Sequence, residues 1–290
     1  MTRLGSLIAP AATPVDEDGR IDGDLFAGHV RRLLADGMDQ VLLFGTTGEG
    51  AAFSAAEKAA ALEALIAAGL PPAKLLVGTG TSVLSDAVAI VAHAASAGCA
   101  AALVLPPFFP KAAHEEGVTR WFQALAARTA PFPLLLYNIP QTAGVGFTAD
   151  GAAALFDGCP SIAGLKDSSP GSPVADALAA RGYPGIYAAQ DSGLLDRKAG
   201  GVAGLISATL DIAPRLARAA FDGDRAAFET FLAVSRAMAP YPLVWSVKTL
   251  LAHHRGEAGW RHVTPPHALR GPADAGALIA AVAPLMSHDR

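Results

Sequence analysis

The chain has 290 residues, with 22 Lys and Arg against 26 Asp and Glu, a formal charge of −4 with histidine neutral. That near balance lacks the clustered basic surplus that displaces counterions, so no nucleic-acid partner is expected. Hydrophobic residues reach 52% and charged residues only 17%, which excludes intrinsic disorder and requires one large buried core.

The stretch from Met1 to Ala12 carries a single Arg3 and an apolar segment broken by Pro10, too little for a signal peptide. The apolar run Cys99 to Leu105 stops at Pro106-Pro107, far short of the roughly 18 residues a spanning segment needs. Cys99 and Cys159 form no Cys-x-x-Cys pair and read as small buried hydrophobes in a reducing compartment. A soluble cytoplasmic protein with no membrane partner is expected.

Eight short apolar runs recur along the chain: Leu7–Ala11, Val41–Phe44, Leu75–Gly78, Ala101–Leu105, Leu134–Tyr137, Ile162–Lys166, Ile186–Ala189 and Val202–Ile206. Each is bounded by Gly, Pro, Ser or Thr and followed by an Ala- and Leu-rich amphipathic stretch, which predicts alternating strand and helix. The runs are continuous rather than alternating, as parallel strands buried on both faces should be. Ser54-Ala-Ala-Glu57 has the capping-box pattern, and Ser172-Pro173 puts a capping residue before a proline at the first helical position. Eight such units favour an α/β fold of the (β/α)8 TIM-barrel class over an open doubly wound sheet, which periodicity alone does not exclude. Three further helical stretches, Ala226–Met238, Leu243–His254 and Ala273–Met286, predict a C-terminal helical extension. The expected division is a catalytic barrel over 1–223 and a helical appendix over 224–290.

Reacting groups in such a barrel sit where strands end at the carboxyl face. Lys166 closes a run that otherwise reads as a buried strand, and a period of two sets Ile162, Gly164 and Lys166 on one face. On an interior face the ammonium would be desolvated, which lowers a lysine pKa toward the range where the free amine attacks a carbonyl and forms a Schiff base. A strand-end lysine also snorkels to solvent, and spacing alone leaves both readings open. Tyr137 ends Leu134-Leu-Leu-Tyr and could offer a phenol to the same cavity as a proton shuttle, or be an ordinary amphipathic tyrosine. Gly45-Thr46-Thr47-Gly48-Glu49-Gly50 resembles an anion-cradling turn in which glycines let N–H groups converge and threonine hydroxyls add donors for a carboxylate. It matches neither the mononucleotide nor the dinucleotide glycine pattern. The histidines, at 29, 93, 114, 253, 254, 262, 267 and 288, show no ligand spacing, so neither metal nor cofactor is expected.

Taken together, Gly45-Thr-Thr-Gly-Glu49, Tyr137-Asn-Ile-Pro140 and Gly164-Leu-Lys-Asp167 make the sequence resemble the dihydrodipicolinate synthase and N-acetylneuraminate lyase family of class I pyruvate aldolases. The likeness extends from Ala12-Thr13-Pro14 and Asp18-Gly-Arg-Ile-Asp22 through Val77-Gly-Thr-Gly80 and Ala199–Ser207 to Val247-Lys248. It implies a barrel assembled as a homotetramer, in which a lysine forms an imine with pyruvate or another 2-oxo acid and no metal is needed. By match of motif, Lys166 would be the Schiff-base lysine and Tyr137 the catalytic phenol. Thr46, Thr47 and Gly48 would hold the 2-oxo acid carboxylate, with Thr47 also counted among the catalytic residues.

Two departures bear on the second substrate. The synthases carry a tyrosine after the fourth strand, where this chain has Phe108-Phe109, and an arginine beyond the Tyr-Asn motif, where it reads Gln141-Thr142. Losing a charge-assisted fork contact should weaken binding of aspartate semialdehyde. The leading expectation is therefore a lyase that reversibly joins or splits pyruvate and an aldehyde, such as a 2-keto-3-deoxy sugar acid would yield. Phe109, Gln141, Thr142 and Ser207 would line the aldehyde pocket, with Lys111 standing in for the missing arginine. The alternatives are the synthase proper, a dehydratase or deaminase using the same imine, and, from another class, a catalytically silent 2-oxo acid binder.

Overall fold

The computed structural model describes residues 4–195 and 202–286. Arg3, the first three residues of the Ala199–Ser207 motif, and His288 fall outside the described residues.

The described residues form eight strands, all parallel and in sequence order: β1 (Ile8–Pro10), β2 (Gln40–Leu43), β3 (Leu75–Gly78), β4 (Ala101–Val104), β5 (Leu134–Asn138), β6 (Ile162–Asp167), β7 (Ile186–Ala188) and β8 (Gly204–Leu205). An isolated parallel bridge between Leu7 and Leu205, with Leu205 N donating to Ser6 O at 2.7 Å, brings the last strand back to the first. The sheet is thus a nearly closed (β/α)8 barrel.

Along each strand, side chains part to two cores. Ile8, Leu42, Leu76, Leu103, Leu135, Tyr187 and Ile206 pack inside the barrel. Their neighbours Val41, Leu43, Val77, Leu134 and Leu136 join Phe26, Val30, Leu62, Val91 and Phe122 in the outer layer against the helices. Because burying a Leu or Phe stabilises by about 1.5–3 kcal/mol, both faces stay apolar and the runs read as continuous.

The crossover helices are α1 (Gly23–Ala35), α2 (Ala55–Ala67), α3 (Leu84–Ser96), α4 (Glu115–Thr129), the short α5 (Pro140–Ala143), α6 (Ala149–Gly158), α7 (Pro173–Ala180), the short α8 (Thr209–Ile212) and α9 (Pro214–Asp222). Ser54 and Glu57 form the expected reciprocal capping box on α2. Ser172 does not cap α7. It takes a left-handed backbone (φ 48°) with no side-chain cap bond, and Asp167 Oδ2 accepts the Ala175 N–H at 3.0 Å instead. The cap comes from the strand end, because the Ser172 hydroxyl is turned to the Asp167 carbonyl oxygen, 3.4 Å away.

The carboxy-terminal helices α10 (Arg225–Met238), α11 (Leu243–Arg255) and α12 (Pro272–Val282) pack on one another and on the barrel, α10 against the turn after β7 and α11 against α8. Asp224 starts α10 by accepting the Ala226 and Ala227 N–H groups. The last helix ends at Val282, short of the Met286 expected from the pattern, with Ala283 as its cap.

Candidate active site

The site grows from the ends of β5 and β6. These strands pair with Tyr137 beside Lys166 and Asn138 beside Asp167. Alternation turns Asn138 and Asp167 to the outer face, where Asn138 Nδ2 donates to Asp167 Oδ1 at 3.0 Å and Ser169 N and Oγ add 2.9 and 2.6 Å bonds. This carboxylate is fully buried and fully satisfied. It locks the two strand ends in register, which forces Tyr137 and Lys166 side by side on the inner face.

The simple period of two expected for β6 does not hold along its length. A register shift opposite Leu134/Leu135 inserts Ala163, so Ile162 packs in the outer layer while Gly164 and Lys166 face inward. At Gly164 a Cβ would lie 2.3 Å from the Gly185 carbonyl oxygen and 2.6 Å from a Leu135 methyl. The neighbouring chain approaches too closely for any side chain.

Lys166 is 6% exposed and Tyr137 3%. Lys166 Nζ donates to Tyr137 Oη at 3.4 Å and lies 4.4 Å from the ring centroid. Among the described residues no carboxylate pairs with Lys166 within 4.0 Å. Tyr137 Oη also shares a 3.2 Å hydrogen bond with Thr46 Oγ1 and is bonded by Ser168. Burial by itself pushes the phenol up, but the Lys166 charge and the bonds from Thr46, Ser168 and Lys166 together outweigh it and hold Tyr137 below its ordinary value.

The loop after β2 supplies the third wall. Thr13 Oγ1 donates to Gly48 O at 2.8 Å, and a Cβ on Gly48 would sit 2.7 Å from the Ala11 carbonyl oxygen, so only glycine lets the loop lie this close to β1. Thr47 is buried. Its N–H and that of Gly48 meet no backbone acceptor among the described residues, leaving two donors beside the Thr46 hydroxyl. Glu49, with a left-handed backbone (φ 56°), forms a buried ion pair with Lys248 on α11 and accepts from Thr264 N and Oγ1 at 2.6 and 2.7 Å. The loop is therefore clamped from beneath by the appendix.

Thr46 and Tyr137 separate two cavities. One, of about 610 Å³, holds Lys166, Thr47, Ser168, Gln190, Asp191 and Ser207, and is walled on its far side by Ser235, Arg236 and Ser246. The other, of about 330 Å³, is apolar, with Phe44, Leu103, Leu105, Phe108 and Ile139.

A model of the dihydrodipicolinate synthetase family matches residues 3–252. The chain belongs to the dihydrodipicolinate synthetase family. It is 35% identical over 279 residues, 94% of this chain and 92% of the relative, to an uncharacterized DapA-like lyase of Chloroflexus aurantiacus. The crystal structure of dihydrodipicolinate synthase from Agrobacterium tumefaciens superposes with a TM-score of 0.89 at 29% identity, covering 96% of this chain and 99% of the other. That of KD(P)GA from T. tenax gives 0.84 at 26%, covering 98% and 99%. Members of the family are lyases and aldolases, and this chain is an enzyme of that class.

Several aldehyde-side residues lie apart from this centre. Phe109 is 83% exposed and lines neither cavity; its neighbour Phe108 does, because the turn after β4 points successive rings in opposite directions. Lys111 Nζ donates to Ala143 O at 2.8 Å, which ties it to α5 rather than to a cavity. Gln141 is exposed and donates to Ser168 O at 2.7 Å, and Thr142 faces the apolar cavity. Ser207 lines the Lys166 cavity.

Ser168, Asp191 and Arg236 are among the polar residues of the larger cavity that are absent from the sequence-based expectations. Ser168 lies two residues past Lys166, so the alternation that selects Lys166 also selects it. Asp191 stands just past the seventh strand, at the same carboxyl face. It is buried in the Lys166 cavity, where burial pushes its carboxyl up against the opposing bonds from Ser207, Ser235 and Thr209. Arg236 sits on α10, outside any strand end, and carries no such signal. Among the described residues no group of three or more His, Cys, Asp or Glu could hold a metal ion, and no helix is long and apolar enough to cross a membrane.

Proposed function

We propose that the protein is a Schiff-base 2-oxo acid aldolase that reversibly joins or splits pyruvate and an aldehyde. The observation that carries this reading is the Lys166 amine, buried without a carboxylate partner among the described residues, 3.4 Å from the Tyr137 phenol and inside a cavity of substrate size. Thr46, with the free N–H groups of Thr47 and Gly48, receives the carboxylate of the 2-oxo acid and aims its C2 at Lys166 Nζ.

The amine attacks C2 to give a carbinolamine, Tyr137 protonates the departing hydroxyl, and water leaves as the imine forms. The protonated imine is an electron sink. It lets C3 lose a proton to give an enamine, whose C3 adds to an aldehyde carbon, and the resulting alkoxide takes a proton. Water then adds back to C2, restoring the amine and releasing the longer 2-oxo acid. The cleavage direction runs the same steps in reverse. A depressed phenol suits this duty, since Tyr137 gives and takes protons closer to neutral pH than an ordinary tyrosine.

In this reading residues 1–223 supply the chemistry and 224–290 wall the cavity and brace the loop after β2. The same imine would also serve a dehydratase or deaminase, and a panel of 2-oxo acids read by pyruvate release decides among them. A silent binder has no need of an amine beside a phenol. The reading includes a homotetramer in the cytoplasm; light scattering should give about four times 29.4 kDa.

Pyruvate plus borohydride should add the reduced pyruvyl mass to a single peptide, that of Lys166, and inactivate the enzyme. An unmodified Lys166 in folded, treated protein would refute the proposal.

A further inference from the structure

Two polar side chains are buried together where the barrel closes, and the steps drawn for Lys166 and Tyr137 do not use them. His29 on α1 and Asp211 on α8 are each 1% exposed. His29 Nε2 and Asp211 Oδ1 share a 2.7 Å hydrogen bond. Trp260 packs edge to face on the imidazole, centroids 4.8 Å apart, but its indole N–H is committed to Glu257 Oε2 at 2.8 Å. His29 Nδ1 therefore has no hydrogen-bond partner among the described residues. A buried ring nitrogen left unsatisfied costs stability that an apolar side chain would not. The use of a histidine here lies in the bond it does make, to Asp211.

The other carboxyl oxygen of Asp211 reaches the carboxyl face of the barrel. Asp211 Oδ2 accepts the Ala12 N–H at 3.0 Å. Ala12 lies past the end of β1, where Ala11 N still finds Leu42 O on β2 at 3.0 Å but no backbone carbonyl among the described residues takes the Ala12 N–H. A side chain from α8 supplies the missing acceptor. The residues on either side of Ala12 hold the loop after β2. Ala11 O is the atom that Gly48 packs against, and Thr13 Oγ1 donates to Gly48 O at 2.8 Å. The connection runs from His29 through Asp211 and Ala12 to Gly48, beside the Thr47 and Gly48 N–H groups that meet no backbone acceptor.

We propose that His29 and Asp211 are positioning residues for the 2-oxo acid carboxylate: they fix the end of β1, and β1 fixes the aim of the Thr47 and Gly48 N–H donors. The inference rests on the Schiff-base reading. Neither side chain touches substrate or moves a proton in it. Charge-assisted hydrogen bonds are strong but weaken steeply as the donor angle departs from linearity, so a small rotation of these two peptides lowers affinity for the carboxylate. The effect falls on binding rather than on chemistry, because Lys166 and Tyr137 are set by a separate network, Asn138 with Asp167.

The test measures the initial rate of borohydride trapping at Lys166 against pyruvate concentration, in the whole enzyme. His29→Leu combined with Asp211→Ala replaces the pair by apolar groups of similar total volume and strands neither partner, so the fold should survive. In that double variant the half-saturating pyruvate should rise about tenfold or more, while the limiting rate stays within about threefold of wild type. Asp211→Asn alone, which keeps an acceptor for Ala12 and a bond to His29, should remain within about twofold of wild type in both. Thr13→Val should also raise the half-saturating concentration, and adding it to the double variant should change little more, since both act through Gly48. An unchanged pyruvate dependence in the folded double variant overturns the proposal. So does full additivity with Thr13→Val, or a loss confined to the limiting rate or the melting temperature, which would mean that the pair merely packs the seam. If the double variant does not fold, His29→Leu with Asp211→Asn is read in its place, with a rise of about threefold expected and no rise counting against the proposal. Trapping in wild type separates the two failures: a trapped wild type with unresponsive variants refutes this inference alone, while an untrapped one refutes the Schiff-base reading as well.

Discussion

Two buried lysines lie on either side of the loop at Gly45–Gly50, and they have opposite fates. Lys248 is 1% exposed, paired with the Glu49 carboxylate and donating to His262 O at 2.8 Å. Lys166 is 6% exposed and meets a phenol, an aromatic face and open cavity. Burial alone therefore does not make an amine reactive. An amine whose charge is matched by a carboxylate becomes a structural fastening, whereas one that faces an open cavity without that partner stays within reach of a ligand.

The largest expected effect comes from removing the unmatched amine. Lys166→Met should abolish turnover by roughly four orders of magnitude or more and eliminate the borohydride adduct. Its melting temperature should hold or rise, because the substitution leaves no carboxylate stranded; a large fall would mean that Lys166 is a fastening too. Next, Tyr137→Phe should lower kcat by roughly 10²–10⁴ while the protein stays folded, and slow imine formation in single-turnover trapping. Full activity in that variant would remove the phenol from the chemistry.

The opposite response is expected at the matched amine. Burial pushes the Lys248 ammonium below its ordinary value even against the pull of Glu49, so the pair is held at a cost. Lys248→Met should destabilise by about 3–5 kcal/mol in urea titration, since Glu49 is left buried and charged. Adding Glu49→Gln should recover part of that loss, and a double-mutant cycle without coupling would refute the clamp.

A third buried lysine sharpens the contrast through pH. Lys58 on α2 is 2% exposed, donates to Thr79 O at 2.5 Å, and is lowered by burial to about 8, with Asp86 and Glu57 opposing the shift. Below pH 8 folded and unfolded chains both carry the proton, and the cost of the buried charge is felt in full. Between pH 8 and the ordinary 10.5 the unfolded chain keeps a proton that the folded one has released, so stability rises with pH through that window. Relative to Lys58→Met, wild type should gain up to about 3 kcal/mol across it, measured by denaturation at fixed pH values. Parallel curves would show that the ammonium is not desolvated.

Much of the barrel was legible in the chain itself. Short apolar runs at regular intervals specify strands buried on both faces, and each of the eight is found within one or two residues. Lys166 and Tyr137 were legible as candidates only, because a polar residue at the end of an apolar run stands out while spacing leaves open which way it points. The bulge at Ala163 was not, since it arises from pairing with β5 and leaves no mark on the local pattern. Phe108 and Phe109 are chemically the same, so which ring turns inward is decided by the path of the loop.

What the sequence by itself determined is periodic and local: the alternation of elements and the helix start at Ser54. Only the tertiary structure decided which distant groups share a volume. It put Ser235 and Lys166 on the lining of one cavity, closed Lys248 onto Glu49, and gave Asp167 the cap expected of Ser172. The physical reason is range. Backbone geometry repeats over two to four residues and writes itself into composition, while charge and hydrogen bonding act through space, between residues eight apart at Asp167 and Ala175 or on different elements far apart in the chain at Glu49 and Lys248.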